Sequence, residues 1–192
     1  AFRLQRNSTG RWPSGDPLHR LKLIPLFLVL AACLQRTPEP TDLNFRDLGT
    51  PIYSNAVMKP DALEGDWTQV AAFTAQPGGC KPGKVRFGAP QGGAVPVRAD
   101  LCLSGKRQGY DGRAALPAPG RLILEGAGTT ALAAPWWVIW ADVDMRTLVI
   151  GTPSGAMGFI LNRGGPLPSD RLKAAREILE WNGYDLERLQ VF

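Results

Sequence analysis

From Gly65 onward, apolar and polar residues alternate in short runs of the kind that half-buried strands show. Val97-Arg98-Ala99-Asp100-Leu101-Cys102-Leu103 is the clearest, with Val97, Ala99, Leu101 and Leu103 on one face. Lys84-Val85-Arg86-Phe87 sets Val85 and Phe87 against two cations. Arg121–Glu125, Trp136–Val143, Thr147–Ile150 and Met157–Asn162 continue the series, with Leu122 and Leu124 sharing a face. Turns are expected at Gly92-Gly93, Gly109 to Gly112, Pro117 to Gly120, Asp142 to Asp144 and Pro153 to Gly155. Strands at this spacing predict an antiparallel sandwich or barrel.

The period then changes from two to that of a helix. Pro168-Ser169-Asp170 is a start signal, and Leu172, Ala175, Ile178 and Leu179 line one face. Asn182-Gly183 is the stop, with glycine suited to the left-handed residue that ends a helix. Leu186–Phe192 reads as a short final strand.

Upstream the pattern is different. Arg20 and Lys22 precede an unbroken apolar run from Leu23 to Ala32, the layout of a secretory signal. Ten residues rise only about 15 Å as a helix, half of what a bilayer core needs. Leu30-Ala31-Ala32-Cys33 resembles the bacterial lipobox, which implies cleavage before Cys33 and acylation of its thiol. Leu34 after that cysteine, where an Asp would signal retention, implies sorting to the outer membrane. The expected organisation is therefore a leader over 1–32, a lipid-anchored Pro-rich tether over 33–62 and a barrel domain over 63–192. Residues 1–18 add cations but no pattern of their own.

The 192 residues carry 44% hydrophobic positions, enough for a real core, and 39 glycines and prolines, which favours short elements and turns. The net charge of +5 does not describe a binding face. Five cations and one acid fall within residues 1–32, leaving 17 basic and 16 acidic residues interspersed after them. Nucleic acid is thereby an unsupported partner. His19 is the sole histidine and lies in the expected leader, so the mature chain would lack the usual general base and the commonest metal ligand. No phosphate-binding glycine loop is present, and Asp142 and Asp144 sit in a turn where such residues cap backbone. No catalytic residue, metal site or cofactor is expected.

Gly65-Asp66-Trp67, followed by Val70-Ala71-Ala72-Phe73, resembles the first motif of the lipocalin family. The Trp136–Asp142 strand is similar to the approach to its second motif, and Phe159-Ile160-Leu161-Asn162-Arg163 to its third. Gly183-Tyr184-Asp185 after the helix, together with the lipobox, resembles the bacterial outer-membrane branch related to apolipoprotein D. The sequence departs from the motifs at Thr68, where tyrosine is usual, and at Ala141-Asp142-Val143, which keeps only the aspartate. The resemblance implies an all-β, eight-stranded up-and-down antiparallel barrel with one C-terminal α-helix. It implies a structural set of Gly65, Trp67, Asp142 and Arg163, with the Arg163 guanidinium stacked on Trp67. It also implies that the barrel holds a small hydrophobic ligand, a fatty acid or lysophospholipid.

Alternation selects Phe87, Leu101, Leu103, Leu122 and Leu124 as lining; the resemblance, which sets Arg163 toward Trp67 and has pocket aromatics at the positions matching Trp136 and Phe159, implies that Trp136, Val138, Trp140 and Phe159 join them. Trp137 is then expected outside, under Leu172, Ala175 and Leu179 of the helix. An eight-stranded barrel can instead be filled by side chains, so a structural or protein-contact envelope lipoprotein is the competing reading. With Cys33 acylated, Cys80 and Cys102 form an even pair in an oxidising compartment, the setting for a disulfide between neighbouring strands. The alternative is a free cavity-facing thiol, as in the prostaglandin-synthase lipocalin.

Overall fold

The computed structural model describes residues 44–192. Cys33, the leader and the first part of the tether lie outside the described residues. Eight strands close a barrel: β1 (Gly65–Phe73), β2 (Lys84–Phe87), β3 (Ala94–Leu103), β4 (Lys106–Ala118), β5 (Arg121–Leu124), β6 (Trp136–Ala141), β7 (Thr147–Gly151) and β8 (Gly158–Asn162). Each pairs antiparallel with the next, and β8 returns to β1, which also pairs with β2. β1 pairs β2 through Gly65–Thr68 and β8 through Thr68–Ala72, and the β8 ladder shifts between Gln69 and Ala71. A short β9 (Leu189–Val191) then adds to the far end of β1.

Inside the barrel, the alternating runs deliver Val85, Phe87, Val97, Leu101, Leu122 and Leu124 to one buried cluster, as their period requires. Outside, α1 (Ser169–Trp181) lays Ala175 and Leu179 on Val149 and Ile160 of β7 and β8. Its end follows the glycine stop: Gly183 takes a φ of 81°, and the Tyr184 N–H donates back to the Leu179 carbonyl at 3.0 Å.

Three expectations are corrected. The glycines at 109 and 112 do not turn the chain; they lie within the thirteen-residue β4. The turn falls at Ser104-Gly105, both at positive φ, which joins Leu103 to Lys106 by the two-residue hairpin that suits strand twist. The segment from 44 to 62 is no free tether. Phe45 is buried, its N–H donates to Gly155, and Pro60–Leu63 forms a 3₁₀ turn that carries Leu63 into the base of the core. The disulfide joins Cys102 of β3 not to a strand but to Cys80 in the β1–β2 loop, at an S–S distance of 2.02 Å.

Candidate functional site

The barrel has a closed end and a mouth. At the closed end Arg163, just past β8, lies 4.3 Å over the Trp67 ring. Its Nε donates to the Met145 carbonyl at 2.7 Å and its Nη1 to Glu64 at 2.8 Å. These are carbonyls of chain ends that no ladder satisfies. The Trp67 Nε1–H donates to Leu63 at 2.8 Å, pinning the 3₁₀ plug beneath the barrel. Burial lowers the Arg163 pKa, an effect opposed by the charge of Asp142. Gly65 enters β1 at a φ of 119°, and a side chain there would meet the Arg163 guanidinium. Asp142 caps the β6–β7 turn by accepting from the Arg146 and Thr147 N–H groups at 2.7 and 2.6 Å, and it faces Arg171 of α1 at 3.2 Å. The four motif residues thus form one closure device.

Between the ends lies the interior. Phe87, Leu101, Leu103, Leu122, Leu124, Trp136, Val138 and Phe159 all point into it. Trp136 meets Phe159 edge-to-face, with ring centroids 5.1 Å apart, a favoured aromatic geometry. Trp140 does not join them. The β6 ladder shifts between Val138 and Trp140, so Ile139 and Trp140 both turn outward to pack under α1. A bulge reverses the parity on which the alternation argument depends. Trp137 is outside as expected, yet not beneath the helix: the Arg121 guanidinium covers it at 4.1 Å.

The mouth is covered by the β5–β6 loop. Its Leu132 is fully buried in the interior cluster, and Ala127 joins it. The loop's bonds are mostly its own: Ala133 to Thr130 at 3.0 Å, and Thr130 Oγ1 to Ala127 at 2.9 Å. Beyond these, the Trp136 Nε1–H donates to the Leu132 carbonyl at 3.2 Å. No signal short of the folded barrel identifies Leu132, because nothing in a loop's sequence says where it folds. A pocket of about 340 Å³ lies elsewhere, at the closed end, between Met58, Pro60 and Leu63 on one side and the β4–β5 turn on the other.

Two further residues hold the mouth side together. Gln69 stands in for β2, which is too short to reach it: its Oε1 accepts from Gly83 and Cys102, and its Nε2 donates to Cys102. Tyr184 stands behind β7 and β8, where its hydroxyl accepts from the Thr152 N–H at 2.8 Å and lies 2.9 Å from the Met157 carbonyl. Burial pushes that hydroxyl's pKa up to about 12.

Residues 61–192 match the family described as the lipocalin-like domain. No curated protein matches the chain in sequence. Among solved structures it is similar to the siderocalin Ex-FABP, at 14% identity and a TM-score of 0.50, over 68% of this chain and 93% of that one. Apocrustacyanin C2 is similar at 14% identity and 0.50, over 74% and 88% of the two chains. Lobster apocrustacyanin A1 is similar at 15% and 0.50, over 77% and 90%. At such identities the likeness is one of fold. With the closed eight-stranded barrel, the stacked closure of Trp67 and Arg163 and a family match across the whole of that barrel, this chain belongs to the lipocalin-like family.

Proposed function

We propose that this protein binds a small hydrophobic ligand, a fatty acid or lysophospholipid, inside its barrel, and that it does so from the bacterial outer membrane, held by acyl chains on Cys33. The observation that carries the reading is the interior itself. Phe87, Leu101, Leu122, Leu124, Trp136 and Phe159 face one another behind a mouth that only a loop covers. Lifting Leu132 would open a path that no ladder bond blocks. A protein of the same fold, the siderocalin Ex-FABP, functions through dual ligand specificities. The family consists mainly of binding and transport proteins, which favours this role over catalysis. Burying methylenes at about 0.8 kcal/mol each, less the cost of association, allows micromolar affinity.

One observation favours a second reading. Trp136 and Phe159 already touch across the interior, as side chains that fill a barrel do. On that reading the barrel is a structural or protein-contact module of the envelope. Native mass spectrometry of the protein before and after delipidation separates the two, supported by fatty-acid titration of tryptophan emission. A co-purifying lipid and a titration weakened about tenfold or more by Trp136→Ala are the expected results. Trp137→Ala, under Arg121, should leave affinity unchanged. No bound lipid and no titration would leave the filled barrel as the correct reading.

A further inference from the structure

The chain enters the described structure at one end of the barrel, and that end is the mouth. The Phe45 N–H donates to Gly155 in the β7–β8 loop, the Arg188 guanidinium to the Asn44 carbonyl, and Asn44 lies beside Gly155. Eleven peptide units separate Cys33 from Asn44, a contour of about 38 Å at full extension. An anchor at Cys33 therefore leaves the mouth free to touch the membrane with slack to spare. Docking by the closed end would consume most of that contour, since a ten-residue strand such as β3 is itself about 33 Å long.

A local cluster of cations lies at the same end. At the mouth, the β1–β2 loop and the β3–β4 turn present Lys81, Lys84, Lys106 and Arg107, all exposed. The Cys80–Cys102 bridge fastens the loop to β3, and the β3–β4 ladder sets Arg107 opposite Cys102 and Lys106 opposite Leu103. Asp100 is the one acid among them, 3.4 Å from Arg107, so the patch keeps a net excess of about three cations. Of the neighbouring mouth loops, 125–135 carries only Glu125, at its β5 end, and 152–157 carries no charge. On the far side of the rim Asp47, Asp185 and Glu187 stand with Arg46 and Arg188. The closed end carries both signs: Asp66 pairs with Arg86, and Asp142 and Asp144 with Arg171, beside Arg146 and Arg163, whose guanidinium groups hold backbone carbonyls there.

We propose that the rim formed by Lys81, Lys84, Lys106 and Arg107 is a docking surface for an anionic lipid bilayer, which presents the barrel mouth to the membrane. The bilayer is the occupant favoured over a protein or a free anion for two reasons. The patch is a shallow, fully solvated set of cations with no pocket to seat a single phosphate. It also adjoins the end at which the chain leaves toward Cys33. Basic residues near an anionic surface act together, and their effect is screened by salt. The orientation argument rests on the anchor proposed above, whereas the charged rim itself stands on the described residues.

The test uses the full chain carrying Cys33→Ser, which cannot be acylated, and sedimentation with vesicles of equimolar phosphatidylglycerol and phosphatidylcholine. Reversal of the patch by Lys81→Glu, Lys84→Glu, Lys106→Glu and Arg107→Glu should weaken binding about tenfold or more. The difference should vanish on pure phosphatidylcholine and shrink as salt rises. Any contribution of the leader is common to both chains. A second measurement places a fluorophore at Ser154→Cys on the mouth or at Gln91→Cys on the β2–β3 loop of the closed end. Energy transfer to a headgroup acceptor should be the stronger from position 154. Equal binding by the reversed chain, or equal transfer from the two labels, overturns the proposal. Binding that inorganic phosphate abolishes at fixed ionic strength would point to a free-anion site and would overturn it as well. Because no acyl chain is present, none of these results depends on whether Cys33 is lipidated in the wild type; the mass of the wild-type amino-terminal peptide reads that separately.

Discussion

Arg163 does with one planar group what three residues would otherwise have to do. It stacks on Trp67, and its separate N–H bonds hold the carbonyls of Met145 and Glu64, which belong to two different chain segments. Lysine cannot reproduce that fork. Arg163→Ala is expected to cost about 2–4 kcal/mol, the sum of a lost stacking contact and carbonyls left unsatisfied at the base. Arg163→Lys should recover less than half of that. Urea denaturation monitored by circular dichroism checks it, and an Arg163→Ala midpoint equal to wild type would show the closure to be incidental. Trp140 makes the opposite lesson at the same scale. Its alternation with Trp136 and Val138 assigns it inward, and one bulge between Val138 and Trp140 turns it out beneath α1.

At the scale of elements, β2 is the weak place in the wall. It has only four residues, so β1 and β3 approach each other beyond its end with no strand between them. Gln69 bridges that gap through Gly83 and Cys102, and the disulfide holds the β1–β2 loop across it. Gly83 has to be glycine there, because a side chain would run into the Asp100 carbonyl. Replacing both cysteines with serine should therefore destabilise the fold by about 3 kcal/mol, the constraint expected of a loop this long. The loss should be read as a shift in the denaturation midpoint at constant slope. A double variant as stable as the oxidised wild type would contradict this account of the wall. Lys81 of the rim lies on the tethered loop, so the same variant should also weaken vesicle binding.

Across the whole molecule, one barrel carries two surfaces at its mouth: a loop that covers an apolar interior and a basic rim on the side away from the incoming chain. On the reading proposed above, anchoring joins them. Two or three acyl chains on Cys33 would hold the protein stably where a single chain is marginal. Cys33→Ser is expected to release the protein from the membrane fraction or leave it unprocessed at its larger size. A mutant that fractionates with membranes at the wild-type mature size would refute the anchor. The basic rim alone should not retain it through a high-salt wash, since that attraction is screened.

The sequence by itself determined the elements that repeat locally. Period-two runs at 84–87, 97–103 and 121–125 gave their inward faces, and helical spacing with Asn182-Gly183 gave α1 and its end, because side-chain direction follows the backbone period. Trp67 and Arg163 were legible only through the family resemblance, and Phe159 through that resemblance joined to the parity of its strand. What only the tertiary structure decided were matters of register and closure. β4 passes through glycines that read as a turn, because β3, pairing Asp100 with Gly109 and Val97 with Gly112, supplies the ladder that β4's own residues do not demand. The bulge that turns Trp140 outward is a register shift in the β6–β7 ladder that no alternation in the sequence announces, and Leu132 becomes a lid only once there is a mouth to cover. Residues 44–62 looked like tether because their apolar positions have no period. They are buried because the finished barrel offers Phe45 and Leu63 places to go, and periodicity cannot report a surface made by distant strands.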